Sequence, residues 1–356
     1  MTRLDCEAYR QDLEAVADLK LPWDRLRNKT LLISGATGLI GSFLIDVLME
    51  KNRRDSMNCS VIALTRDPER AAARAVGTWQ PQVRFLRCDV SRERPEPGCS
   101  LDYVIHAASN THPIAYATDP VGTITTNIIG TKNLLEAAAA HHAARTVFLS
   151  SVEIYGENRG DCEYFTEGYC GYIDCNTLRA GYPEGKRAGE ALCQAYIRQK
   201  GQDVVIPRLP RIFGPTMLES DTKAVSQFLK KGIARENIVL KSEGNQLYSY
   251  CYVADAVSGI LHCLFYGKNG EAYNLGDLTS DITLKDLAHL IADYAGTTVV
   301  FDLPSQTEKA GYSTATKALL NGDKLKALGW RPQYGISTAI PRTMEIMLAM
   351  RRDGSA

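Results

Sequence analysis

The sequence predicts an α/β protein with a doubly wound parallel sheet and a smaller C-terminal α/β lobe. Apolar runs of strand length alternate with amphipathic segments of helix length through the first half of the chain. The first apolar run, residues 31–34, leads into three glycines, Gly35, Gly38 and Gly41, spaced G-x-x-G-x-x-G. A strand, a tight glycine turn and a helix form the first half of a βαβ unit.

The glycine turn is the first candidate binding site. Glycines let the backbone approach a pyrophosphate closely, and the following helix offers it free N–H groups and a partial positive charge. A glycine motif alone also occurs in ordinary turns. Its position at the start of the alternating series favours a dinucleotide-binding site.

Four further strands are predicted at residues 60–64, 83–88, 101–106 and 146–149, with a long helix at 119–143. Ala107 and Ala108 follow the 101–106 strand. Such small residues let a cofactor lie against the carboxyl edge of a parallel sheet. The order of these elements predicts a dinucleotide fold of the doubly wound type.

Arg66 follows the second strand directly, where dinucleotide folds contact the adenosine ribose. An acid at this point binds a free 2′-hydroxyl, whereas an arginine accommodates a 2′-phosphate. NAD is the predicted cofactor, with NADP as an alternative that Arg66 favours. A surface arginine in a helix-capping turn would give the same pattern.

Tyr182 and Lys186 are the candidate chemical centre. Their spacing places both on one face of a helix, and Pro183 fits only its first turn. A nearby ammonium and the helix N-terminus would both lower the pKa of the phenol. We therefore expect Tyr182 to act as a base toward an alcohol.

The composition limits the classes of partner that the chain is expected to bind. The chain of 356 residues has a formal net charge of zero, which provides no electrostatic footprint for nucleic acid or an anionic membrane. No apolar run is long enough to span a bilayer, and the acidic N-terminus does not resemble a secretory signal. We expect a cytoplasmic protein with no membrane association.

The ten cysteines lack a repeated C-x-x-C spacing, which favours reduced, unpaired thiols. Cys162, Cys170 and Cys175 lie near one another in the sequence but no histidine spacing accompanies them. No metal site is predicted. The predicted divisions are an N-terminal helical extension (1–28), a dinucleotide-binding domain (29–207), and a region (208–356) that forms mainly a substrate lobe with some segments returning to the first domain.

From about residue 29 onward the chain resembles the extended short-chain dehydrogenase/reductase family, namely its NAD-dependent epimerases and dehydratases. The resemblance rests on the glycine turn, on Tyr182 with Lys186, and on the stretches 106–108, 150–156, 208–215, 252–255 and 273–276. It implies a nucleotide-sugar substrate that is transiently oxidised at C4. Tyr182 would remove the hydroxyl proton, Ser151 would hydrogen-bond the reacting oxygen, and Lys186 would hold the nicotinamide ribose.

The segment 150–156 discriminates among branches of this family. The sugar 4,6-dehydratases resemble S-T-D-E-V-Y-G, in which the Asp protonates the departing hydroxyl. This chain has Val152 there, which cannot donate a proton, and it keeps Glu153. The segment is most similar to the UDP-glucuronate decarboxylase branch, as is the Y-x-E-G-K-R stretch that begins at Tyr182. Glu153 is therefore a fourth predicted catalytic residue, although a carboxylate at the protein surface would give the same sequence pattern.

Two departures from that branch concern the substrate. The branch carries an arginine facing the substrate diphosphate where this chain has Tyr248, and an asparagine where it has Arg211. Arg211 could restore a diphosphate contact from another direction or pair with a carboxylate in the cleft wall. The expected substrate contacts are Ser109, Ser151, Arg179, Arg211 and Tyr248.

The expected cofactor contacts combine the glycine turn, the strand ends and positions that the resemblance implies. They are Gly35, Thr37, Gly38, Leu39, Ile40, Gly41, Arg66, Asp89, Val90, Ala107, Ala108, Asn127, Ser150, Tyr182, Lys186 and Arg208. An epimerase, an NADPH-dependent carbonyl reductase and a non-catalytic dinucleotide-binding module remain alternatives. The resemblance also implies a homodimer through the helices at 119–143 and 182–199.

Overall fold

The computed structural model describes residues 2–75, 79, 81–111, 113–302 and 315–352. It confirms the predicted class, since a large parallel sheet carries helices on its faces and a smaller sheet lies beside it. The helices are α1 (Glu7–Ala17), α2 (Leu39–Asp55), α3 (Pro68–Arg74), α4 (Pro113–Thr118), α5 (Pro120–Ala140), α6 (Gly181–Lys200), α7 (Ala224–Ile233), α8 (Val253–Tyr266), α9 (Leu284–Ala295), α10 (Asp323–Lys326) and α11 (Ile336–Arg352). The strands are β1 (Thr30–Ser34), β2 (Ser60–Thr65), β3 (Val83–Arg87), β4 (Tyr103–His106), β5 (Arg145–Phe148), β6 (Ser150–Ser151), β7 (Val204–Leu209), β8 (Arg211–Phe213), β9 (Ile238–Leu240), β10 (Leu247–Tyr252), β11 (Ala272–Asn274), β12 (Asp281–Thr283), β13 (Val299–Phe301) and β14 (Lys317–Ala318).

The large sheet runs in the order β3-β2-β1-β4-β5-β7-β11, with every neighbouring pair parallel and β6 paired to β7. Strands β2 and β3 extend from one side of β1, and β4 and β5 extend from the other. The strand order therefore reverses at β1. In open sheets of this kind, ligands bind outside the carboxyl ends of the strands at such a point.

The chain after residue 208 builds the smaller sheet and also returns to the large one. Strand β10 pairs with β8, β12 and β14, and β11 forms the outer strand of the large sheet beside β7. Helix α8 is buried from Val253 to Phe265, which ties the two sheets together. Strand β8 follows β7 directly, so the smaller sheet begins at the carboxyl end of a strand of the large sheet.

The predicted strands agree with β1 to β5 to within two residues, but three strands of the large sheet were not predicted, namely β6, β11 and the six-residue β7. All six of its residues are buried, yet Pro207 and Arg208 interrupt the apolar pattern on which strand prediction depends. Arg208 is tolerated there because Glu190 of α6 binds its guanidinium through two contacts at 2.9 and 2.6 Å. The charge is neutralised by a residue that is distant in the sequence.

The N-terminal extension is anchored by two buried carboxylates. Asp46 of α2 accepts hydrogen bonds from Arg3, Tyr9 and Trp79. Asp12 of α1 accepts from Tyr252 and from Arg342 of α11. Both carboxylates are almost fully buried, so the extension is part of the core and not a loose appendage.

Within the described ranges, none of the helices combines the length and apolarity needed to cross a bilayer. The same residues contain no grouping of three or more His, Cys, Asp or Glu that could hold a metal ion. All ten cysteines are unpaired thiols, and Cys170 and Cys175 are exposed.

Replacing Asp46 by Asn tests the first anchor. We expect the free energy of unfolding to fall by about 3–5 kcal/mol, because the substitution leaves the Arg3 guanidinium buried without its counter-charge. Asp24→Asn is the matched control, since Asp24 pairs with Arg27 at the exposed surface and should change stability by less than about 1 kcal/mol. Denaturant titration of both variants measures the difference. Equal effects would contradict the anchoring role of Asp46.

Candidate active site

The glycine turn has the geometry of a close phosphate-binding turn. Gly35 has a φ of +67°, and a Cβ there would lie 2.6 Å from the carbonyl oxygen of Ala107. A Cβ on Gly41 would lie 2.3 Å from the carbonyl oxygen of Gly35. Gly38 is the N-cap residue of α2 and provides no side chain to cap it. The first N–H groups of α2 are therefore available to an anion at the switch point of the sheet.

A small polar network joins the ends of β1 and β4 beside this turn. The Ser34 hydroxyl accepts from the backbone N–H groups of Ala107 and Ala108, and His106 Nδ1 lies 2.9 Å from it. Ser150 Oγ is buried and has no hydrogen-bond partner in the protein. A buried hydroxyl without a partner is costly, so it fits a position that a bound ligand satisfies. These features fit the expected dinucleotide.

Helix α6 reaches this edge because two of its three glycines face the neighbouring elements. A Cβ on Gly189 would lie 2.5 Å from the Phe148 ring, and one on Gly185 would lie 2.9 Å from Cβ of Asn127. With no side chains at these positions, α6 packs directly on β5 and α5. This close approach brings Tyr182 and Lys186 to the end of the strand that carries Ser150 and Ser151.

Tyr182 and Ser151 form the centre of the site. The Ser151 side chain lies beside the Tyr182 hydroxyl and favours its phenolate form, and each residue is only 7% exposed. Ser151 Oγ also accepts the backbone N–H of Glu153 at 3.2 Å, which caps a short 3₁₀ turn over residues 152–155.

The expected low pKa of Tyr182 is wrong for the protein alone. Burial raises the pKa of Tyr182 to about 12, and the hydrogen bond from Ser151 and the charge of Arg179 offset this only in part. Lys186 is not among the groups that lower it. Its ammonium donates to the Leu149 carbonyl at 2.8 Å and lies over the Phe148 ring. Desolvation lowers the pKa of Lys186 to about 8, so burial dominates both side chains.

Glu153 lies beside this centre and is paired with two arginines. Arg179 Nη2 contacts Glu153 Oε2 at 3.0 Å, and Arg211 Nη2 lies 3.8 Å from Oε1. The Nη1 atoms of both arginines are buried without a hydrogen-bond partner in the protein. Glu153 is therefore a carboxylate of the cleft wall and not a solvated surface group.

Arg211 and Tyr248 come from the paired strands β8 and β10. The Arg211 guanidinium carbon lies 3.3 Å from the centroid of the Tyr248 ring, and Tyr248 donates its hydroxyl to the Ala315 carbonyl. This stack fixes the plane of the guanidinium. Of the two alternatives that the sequence left open, the pairing with a carboxylate is the one present in the protein alone.

Tyr116 is a site residue that the sequence analysis missed. Its ring centroid lies 5.4 Å from that of Tyr182, and the Arg179 guanidinium carbon lies 4.7 Å from the centroid of the Tyr116 ring. The residue is only 9% exposed. It belongs to the short helix α4, whose few residues carry no motif, so no local pattern could have identified it.

The other expected cofactor residues differ in their surroundings. Arg66 is exposed at the end of β2, Val90 is buried, and Asp89 accepts hydrogen bonds from Ser91. Asn127 accepts a hydrogen bond from Ser109 at 2.9 Å.

Arg208, which was also expected to contact the cofactor, is fully engaged within the protein. In addition to Glu190, its guanidinium binds the Tyr155 hydroxyl and the Glu167 carbonyl. This environment favours a structural role, and we leave Arg208 out of the proposed cofactor site.

Comparisons with known proteins agree with this geometry. Residues 31–276 match the model of the NAD dependent epimerase/dehydratase family. The chain is 30% identical over 320 residues to UDP-glucuronic acid decarboxylase 5 of Arabidopsis thaliana, and the match covers 88% of each protein.

Solved structures share the fold. A UDP-glucose 4-epimerase of Thermotoga maritima with UDP-glucose superposes with a TM-score of 0.77 at 22% identity, covering 90% of this chain and 99% of the other. A UDP-glucuronic acid 4-epimerase of Bacillus cereus in complex with UDP-glucuronic acid and NAD gives 0.73 at 21% identity, again covering 90% and 99%.

The low pKa of Lys186 predicts that this buried lysine destabilises the folded protein by an amount that depends on pH. In the cofactor-free protein its pKa lies near 8 instead of the ordinary 10.5, so between these values the unfolded chain binds more protons and stability rises with pH. We expect Lys186→Met to be more stable than wild type. The gain in the free energy of unfolding should be about 1–3 kcal/mol larger at pH 7 than at pH 10.

Denaturant titrations at the two pH values test this, with Lys200→Met as the control. Lys200 is exposed at the end of α6 and should show no such dependence. An effect of Lys186→Met that is equal at both pH values would contradict a charged, desolvated lysine.

Proposed function

Because the chain belongs to the NAD dependent epimerase/dehydratase family, we propose that it acts on a nucleotide sugar and decarboxylates a UDP-glucuronate-class substrate. The observation that carries this proposal is Glu153, held at 3.0 Å from Arg179 beside Ser151 and Tyr182. The neighbouring Val152 is buried and has no proton to donate, which disfavours elimination of water. The names of the similar decarboxylases support the same branch.

NAD is the cofactor we propose, held by the turn at Gly35, Gly38 and Gly41 and by the strand ends at Ala107 and Ser150. When bound, an oxidised nicotinamide supplies a hydride acceptor and a positive charge to the site. Lys186, which donates to the Leu149 carbonyl, would hold the adjoining ribose. The residues of the chain would then bind the sugar and accept one proton from its hydroxyl group.

Tyr182 takes that proton, with Ser151 hydrogen-bonded to the same oxygen. Because burial raises the pKa of Tyr182 to about 12 in the protein alone, the phenolate needs a further positive charge beside it. Oxidation of the sugar at C4 makes a β-keto acid. The C5–C6 bond then breaks, carbon dioxide leaves, and the electron pair moves to the C4 oxygen, which Tyr182 and Ser151 stabilise. A proton returns to C5 before the C4 ketone is reduced.

Products identify the reaction. Incubation with a panel of UDP- and dTDP-sugars, followed by mass spectrometry, should give loss of carbon dioxide from a uronate and no net reduction of NAD in the completed cycle. Loss of water or an unchanged mass would indicate a dehydratase or an epimerase. Stoichiometric consumption of NADPH would indicate the carbonyl reductase that Arg66 leaves open. Tyr182→Phe, expected to abolish turnover, is the control for background decarboxylation.

Glu153→Gln tests the carboxylate directly. We expect kcat to fall by about 10²–10⁴, because a neutral amide can neither exchange a proton nor balance the two arginines. Glu157→Gln is the matched control at a partly exposed position four residues away. Equal turnover of the Glu153 variant and wild type would contradict a catalytic role.

Cofactor choice is tested at Arg66. Asp67, the carboxylate nearest to it in the sequence, caps α3 by accepting the Arg70 N–H, which leaves the exposed guanidinium as the charged group at the end of β2. Arg66→Gln should weaken NADP binding by about threefold to tenfold and leave NAD binding within twofold. Isothermal titration with each dinucleotide measures both. Equal losses would exclude a specific contact with the 2′-phosphate.

The expected homodimer remains part of the proposal. Val121 and Ile129 on α5 are 70% and 40% exposed, as large apolar side chains at an interface would be in an isolated chain. Light scattering of the purified protein should give twice the mass of one chain.

A further inference from the structure

The two arginines beside Glu153 have hydrogen-bonding capacity that the protein does not use. Arg179 binds one carboxylate oxygen through Nη2, and Arg211 lies beyond hydrogen-bond distance of the other oxygen at 3.8 Å. The Nη1 atom of each guanidinium is buried and has no partner. Buried N–H groups without acceptors are costly. The two guanidinium groups that carry them come from separate elements, and both approach the Glu153 carboxylate through their Nη2 atoms.

The charges at this point do not balance. Two guanidinium groups face one carboxylate. Burial raises the pKa of the neighbouring phenols of Tyr116, Tyr182 and Tyr250, so these groups stay neutral and add no negative charge. A monoanion in the cleft would therefore neutralise the group and supply acceptors to both free Nη1 atoms. A carboxylate has the planar, two-oxygen shape that guanidinium groups bind best.

The position along the cleft identifies which anion of the substrate this is. Glu153 donates its backbone N–H to Ser151 Oγ at 3.2 Å, and the Ser151 side chain lies beside the Tyr182 hydroxyl. The anion site therefore adjoins the group that handles the C4 hydroxyl. In a nucleotide uronate, the carboxylate is on the carbon next to C4, whereas the diphosphate is attached across the ring.

We propose that Arg211 and Arg179 together bind the carboxylate of an acidic sugar, and that Arg211, stacked on Tyr248, decides the preference for acidic over neutral sugars. This rests on the proposed function for its substrate class. The diphosphate contact considered for Arg211 from the sequence is replaced by this assignment. The contact comes from β8, with the ring of Tyr248 on the adjacent β10 as its support.

Glu153 gives the site a second property. Two arginines alone would hold the carboxylate in its ground state and oppose its conversion to neutral carbon dioxide. Glu153 offsets one of the two positive charges while substrate is bound, and it pairs with both guanidinium groups again after carbon dioxide leaves. Arg211 is accordingly a residue of substrate selection, and its loss should raise KM far more than it lowers kcat.

Binding without turnover tests the assignment. In the Tyr182→Phe background with NAD present, isothermal titration compares UDP-glucuronate with UDP-glucose, which has the same diphosphate and no carboxylate. Adding Arg211→Gln should weaken UDP-glucuronate binding by about tenfold to a hundredfold and leave UDP-glucose binding within about threefold. Arg211→Lys keeps the charge but lacks the planar guanidinium with its paired donors. It should lower the affinity for UDP-glucuronate by a smaller factor and leave the affinity for UDP-glucose unchanged.

Arg53→Gln is the control, since Arg53 lies at the surface of α2 and should change neither affinity. Equal weakening of both ligands would place Arg211 on the diphosphate, and unchanged affinity for both would leave it as a partner of Glu153 only. Either result overturns the proposal. Failure of the proposed function is a separate outcome, in which wild type releases no carbon dioxide from any uronate although the Arg211-dependent preference for the carboxylate is present.

Discussion

The close approach of α6 to β5 is the constraint on which the site depends. It exists because Gly189 presents no side chain to the Phe148 ring, and Gly185 presents none to Asn127. A helix that stood further away would carry Tyr182 out of reach of Ser151 and Lys186 out of reach of the Leu149 carbonyl. Core packing thus sets the positions of the reacting groups, since closely packed interiors transmit displacements of one element to the next.

Burial also sets the electrostatics of the site. It raises the pKa of Tyr182 and lowers that of Lys186, so in the protein alone both groups are shifted toward their neutral forms. The positive charge beside these groups is instead carried by Arg179 and Arg211, which both pair with Glu153. In the proposed function, proton transfer and anion binding are therefore assigned to neighbouring groups of side chains.

The scaffold around the cleft is held by charges as well as by apolar packing. Asp46 and Asp12 fasten the N-terminal extension to α2, β10 and α11, and Glu190 neutralises Arg208 inside β7. Removal of one member of such a buried pair costs more than the pair itself contributes. These residues keep the smaller sheet in place over the carboxyl edge, where Arg211 and Tyr248 complete the site.

The sequence by itself determined the first five strands of the large sheet, the glycine turn, the Tyr182–Lys186 face and the segment from Ser151 to Glu153. Each is a local pattern, because periodicity and short spacings are set by backbone geometry within one element. Only the tertiary structure decided the sign of the Tyr182 pKa shift, the engagement of Arg208 with Glu190, the entry of Tyr116 and the stack of Arg211 on Tyr248. Those properties depend on burial and on contacts between residues far apart in the chain, and no local pattern encodes which distant groups will meet.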